Sequence, residues 1–222
     1  MNIRKLTLLL LSGVIFSIIP SYAASEKAKM FQAEIWVDNW FALYINGKKI
    51  AEDSVPLTTE RSFNSEKVKF SAALPFTVGL LVKDFTENAS GLEYIGKPNQ
   101  QIGDGGAIMQ IREVSTQRVV AATDETWRVL VLARAPLNPE CVKSSQPLSE
   151  CMHQTWVTPK NWATTSFKDS SWKLAKVFTR EEVGVKEGFF DFTWDQSAQL
   201  VWSSDLKLDN SLLIRKVIRT IK

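Results

Sequence analysis

Oxygen-bearing side chains crowd one stretch of this chain, residues 83–106, KDFTENASGLEYIGKPNQQIGDGG. Asp84, Glu87, Asn88, Glu93, Asn99, Gln101 and Asp104 fall within it, among glycines and Pro98 that mark loop rather than strand. Such a set suits two chemistries. It could ligate calcium, which takes about six to eight hard oxygens, with Asp84, Glu87 and Asp104 supplying the charge. It could instead hold sugar hydroxyls while Tyr94 stacks on a pyranose face. The spacing is not that of an EF-hand, and the plain structural alternative is a solvated loop of Asx turns.

Two tryptophans belong to the same enquiry. The chain has eight, of which Trp40, Trp127 and Trp172 read as opening strands, where an indole packs into a core. Trp156 and Trp162 instead lie among Thr, Pro, Lys and Asn. A loop aromatic beside polar groups is what a sugar site requires. Enzyme signatures are scarce. The chain has one histidine, His153, with no nucleophile motif beside it, and GxSxG, HExxH and P-loop patterns are missing. No catalytic residue is assigned, although a glycosidase needs only two suitably spaced carboxylates.

The elements that must position these groups read as strands. Short apolar runs recur at residues 33–37, 41–45, 67–72, 76–83, 107–113, 118–122, 127–133, 199–203 and 211–217. Trp127, Val129, Val131 and Ala133 share one face of their run, whereas residues 76–82 are apolar on both faces, as in a central strand. Asn46-Gly47 between apolar runs predicts a hairpin closed by a type I′ turn. The best helical candidate, residues 179–186, has Thr179 and Glu182 placed as a capping box and should form one or two turns. The expectation is an all-β, two-sheet antiparallel sandwich with under about 15% helix, far below the usual share.

Residues 135–166 hold four prolines and both cysteines, Cys141 and Cys151. They read as a long excursion pinned by a disulfide, which suits an exported chain. Export is expected from the first 23 residues. Arg4 and Lys5 precede an apolar segment of about fifteen residues, shorter than the roughly 20 of a membrane span. Ser21-Tyr22-Ala23 then offers a cleavage site, and the whole resembles a bacterial signal peptide. Residues 24–222 should form a single domain, secreted or periplasmic, with no membrane span. Removing Arg4 and Lys5 takes the formal net charge from +3 to +1. So neutral a chain, with no basic block, argues against nucleic acid as partner.

Several motifs in order resemble one family. They are the hairpin segment DNWFALYINGK at 38–48, GGAIMQI at 105–111, TDETW at 123–127 and FKDSSW at 167–172. Together they resemble the galactose-binding-like jelly-roll modules attached to α-L-rhamnosidases and other glycoside hydrolases. The resemblance implies a jelly-roll sandwich and a non-catalytic carbohydrate-binding protein that recognises polysaccharide or surface glycan. Loops at one end of the sandwich would carry the ligand. Asp124 and Asp169 in the two Asp-Trp segments read as turn formers rather than ligands. Two other functions fit the same residues: a protein-interaction module, and a small glycan-active hydrolase or lyase using loop carboxylates.

Overall fold

The computed structural model describes residues 27–220; the expected export signal, residues 1–23, lies outside them. Alternation shapes the first strand, β1 (Lys29–Asp38), whose Phe31, Ala33, Ile35 and Val37 are buried while Gln32 and Glu34 are partly exposed. The chain continues through β2 (Trp40–Ile45), β3 (Lys48–Glu52), β4 (Asn64–Ala72), β5 (Phe76–Lys83), β6 (Leu92–Glu93), β7 (Gln101–Ile102) and β8 (Gly106–Glu113). It goes on through β9 (Val119–Ala122), β10 (Arg128–Arg134), β11 (Gln154–Thr155), β12 (Lys173–Leu174), β13 (Lys176–Phe178), β14 (Leu200–Trp202) and β15 (Asp209–Ile218). Among the described residues helix is confined to single turns, including α1 (Pro147–Glu150) and α2 (Arg180–Val183), and totals 8% against 42% strand.

One sheet runs β13-β14-β8-β1-β4, with β9 also on β8; the other runs β11-β10-β15-β5-β2-β3, with β12 also on β10. Every pairing is antiparallel, and the sheets pack as a sandwich. The inner faces meet in one core holding Trp36, Trp127 and Trp202, all fully buried. The doubly apolar β5 lies between β15 and β2, as its sequence requires. Asn46 and Gly47 take positive φ at 51° and 85°, the pair of values a type I′ turn needs. Thr179 and Glu182 form the expected capping box, and α2 stops where Gly184 turns left-handed.

A second apolar layer lies outside the β10-containing sheet. There Trp162, Ala163 and Trp172 cover Leu132 and Leu213. Gly79 of β5 allows this contact, because a Cβ there would come within 2.6 Å of the Trp162 ring.

The two Asp-Trp segments are built alike. The Trp127 and Trp172 backbone N–H groups donate to the Asp124 and Asp169 carbonyls. Their carboxylates then pair with neighbouring cations of β15, Asp124 with Lys216 and Asp169 with Arg215.

Cys141 and Cys151 are bonded, and they pack with Leu92, Ile95, Ile102 and Val142. The bridge therefore ties the excursion to the polar 84–104 loop. Replacing both cysteines by serine is expected to cost about 2.5–3 kcal/mol for a ring this small, while the sandwich still folds. Urea denaturation of the oxidised protein and the double variant checks both statements.

Candidate functional site

Two strand registers bring the acidic centre together. Asp38, the last residue of β1, pairs with Gly106 of β8, which places Asp104 just beyond it. The chain then crosses to the other sheet, where Asn39 N–H donates to the Lys83 carbonyl and Trp40 pairs with Lys83. Asp84 follows directly. One carboxylate oxygen from each of Asp38, Asp84 and Asp104 lies within 4.8 Å of the others. Close backbone approach is possible because Gly103 has no side chain; a Cβ there would stand 2.3 Å from Asp84 Oδ2.

The electrostatics of this centre are unbalanced. Asp38, Asp84 and Glu93 are buried and Asp104 is partly so. Lys186 Nζ reaches Asp38 Oδ2 at 3.1 Å and Asp104 Oδ1 at 3.3 Å. Burial pushes the Asp38 carboxyl up to about 8, with Lys186 opposing and Asp104 and Glu93 reinforcing. Burial also raises Asp84 well above the carboxylate range, helped by Asp38, Glu93 and Asp104. Glu93 is raised by burial as well, although Gln101 Nε2 donates to its Oε2 at 2.8 Å. Burial pulls the Lys186 ammonium down, but Asp38 and Asp104 outweigh it and hold the group above its ordinary value. Desolvation of the carboxylates exceeds what a single ammonium restores, so the centre keeps protons into the neutral range.

This predicts a pH dependence. Asp38 titrates near 3.8 when unfolded and about 8 when folded, so between these values the folded chain binds more protons. Raising pH through that window therefore favours unfolding, by up to about 1.4 kcal/mol per pH unit for each proton. In EDTA the melting temperature should be lower at pH 8 than at pH 5; a flat or rising trend would contradict this account. The lowered carboxyls, Glu113, Asp124, Glu187 and Asp195, act in the opposite sense below this range.

The remaining loop residues lie elsewhere. Glu87, expected as a calcium ligand, is exposed, and its Oε1 accepts from the Ile95 N–H at 2.9 Å. Asn88 forms the Asx turn weighed as the structural alternative, accepting from Ser90 N–H at 2.9 Å. Tyr94 sits at φ 54° with Lys97 Nζ 5.6 Å from its ring centre, and its hydrogen bond to Glu60 raises the phenol pKa. Trp162 is only 7% exposed and packs on Tyr44 and Trp172, so its ring is not offered to a ligand.

Trp156 is placed differently. It is 42% exposed and borders a groove of about 890 Å³ along β10. Val131, Val157 and Leu174 line the groove with apolar surface. At one end Arg134 forms a two-pronged pair with Asp209, at 2.5 and 3.0 Å, and the Ser203 hydroxyl donates to the same carboxylate. The edge of β10 is also interrupted there. β12 pairs with Arg128 and Val129 and β11 with Ala133 and Arg134, so among the described residues Leu130 and Val131 face no strand on that side.

Asp38, Lys186, Arg134 and Asp209 are functional candidates that sequence reading missed. Asp38 carried one signal, a carboxylate inside the apolar run between Trp36 and Phe41. The others had none, because their contacts join residues 75 or more positions apart. No protein-family model matches the chain, and no curated protein or solved structure matches it.

Proposed function

We propose that this chain is an exported, non-catalytic carbohydrate-binding module whose ligand lies in the groove beside Trp156. The observation that carries this reading is the exposed indole over an apolar trough with fixed polar groups at one end. A pyranose presents C–H faces to an aromatic ring and hydroxyls at its edge, and each needs a different partner. Trp156 supplies the ring. Arg134 supplies donors whose position is held by Asp209, a residue of strand β15. The likeness of the ordered motifs to galactose-binding-like sandwiches supports the same reading. The disulfide supports an oxidising destination.

A second reading has its own observation. The unpaired β10 edge at Leu130 and Val131 could accept an extended peptide strand, making the chain a protein-interaction module. A glycan array with and without calcium, followed by a reducing-sugar assay on each hit, separates these readings. Binding without release of reducing ends supports the carbohydrate module. Turnover would identify a glycan-active enzyme. A blank array would leave the interaction module.

A further inference from the structure

We infer that Asp38, Asp84 and Asp104 form a binding site for a hard divalent cation of the calcium class, at the end of the sandwich where β1 crosses to β2. The site is separate from the Trp156 groove, and the inference does not depend on carbohydrate binding.

Geometry comes first. Oxygens that share one calcium ion at about 2.3–2.6 Å can be no more than roughly 5 Å apart. The three carboxylates meet that limit, each offering an oxygen within 4.8 Å of the other two. The second observation is independent of their proximity. Among the described residues, Asp38 Oδ1 and Asp84 Oδ1 are buried and have no hydrogen-bond partner. Asp84 Oδ2 has only the long 3.5 Å contact from Asn210 Nδ2. Buried carboxylate oxygens are ordinarily satisfied. Two orphaned oxygens in one acidic cluster are what a cation would occupy.

Charge points the same way. Four interacting carboxylates, Asp38, Asp84, Glu93 and Asp104, have a single ammonium, Lys186 on Asp38 and Asp104, to offset them, an excess of three negative charges when all are ionised. Lys186 occupies Asp38 Oδ2 and Asp104 Oδ1 and leaves both orphaned oxygens free. A divalent ion would remove most of the remaining excess. The donor set selects its class, since oxygen alone without His or thiolate favours calcium over zinc. The side chains of Asp104 and Lys186 are 35% and 34% exposed, which gives the ion a path from solvent.

The test uses EDTA-stripped, exhaustively dialysed protein titrated with CaCl2. One ion per chain should bind, and calcium at a hundred times Kd should raise the melting temperature by about 5 °C or more. Terbium should bind in its place and luminesce on tryptophan excitation, because the Trp202 indole packs against Gly105, next to Asp104. Asp84→Asn should abolish the calcium heat and the terbium signal. It should also leave the metal-free protein as stable as wild type or more so, because the amide has nearly the same shape as the carboxyl and carries no charge that burial would have to desolvate. Lys186→Met should lower the metal-free melting temperature and make the calcium-induced rise larger. The inference is overturned if wild type shows no calcium heat, if Asp84→Asn keeps the full thermal shift, or if calcium fails to rescue Lys186→Met.

Discussion

Replacing Trp156 by alanine should weaken glycan binding about 30-fold, the loss of roughly 2 kcal/mol typical of an aromatic anchor. The melting temperature should barely change. Trp156 directly follows the two-residue strand β11 and is 42% exposed, so little of the core depends on it. Trp162→Ala makes the converse case. That ring fills the layer over Gly79, Tyr44 and Trp172, so its loss should cost stability of about 3–5 kcal/mol through the cavity it leaves. Isothermal titration against a glycan hit, paired with thermal melts of each variant, separates the two roles. Equal binding by wild type and Trp156→Ala would remove the groove from consideration.

Asp169→Ala should destabilise the fold as much as Trp162→Ala, by a different route. Arg215 is 1% exposed on β15, and its guanidinium is neutralised by Asp169 while its other arm donates to the Thr164 carbonyl at 2.8 Å. Removing the carboxylate leaves a buried, uncompensated cation, a change that costs about 3–5 kcal/mol. Arg215→Met in the same chain should recover much of that loss, because the charge disappears with its partner. The neighbouring pair gives an internal control. Lys216 and Asp124 are 28% and 31% exposed, so water screens them, and breaking the pair should cost about 1 kcal/mol or less. Urea unfolding of the three variants against wild type decides the matter. Equal losses at Asp169 and Asp124 would contradict this account.

Where local chemistry decides structure, the sequence was readable. The apolar run at 76–83 is β5 without adjustment, since a strand buried on both faces needs no partner to announce itself. Asn46-Gly47 and the Thr179–Glu182 box also follow from their own residues. The short strands β11, β12 and β13 were not readable as such. Each is two or three residues held by pairing to a distant strand rather than by its own propensity.

The same division runs through the candidate sites. Asp84 and Asp104 stood out because they lie in one polar loop, and the fold does bring them together. Glu87 looked equivalent in the sequence, yet its carboxylate is taken by a backbone N–H within that loop. Asp38 takes its place through the register of β1 on β8, which no local pattern encodes. Trp156 and Trp162 have similar neighbours in sequence and opposite fates. Only the packing of residues 162 and 163 onto β5 distinguishes them.

Hydrogen–deuterium exchange with and without a glycan identified on the array locates the bound ligand on the sandwich. With glycan in the Trp156 groove, exchange should slow at Leu130 and Val131 and around Trp156 and Leu174, with little change in the 84–104 loop. Protection confined to that loop, with the β10 edge unchanged, would contradict that placement.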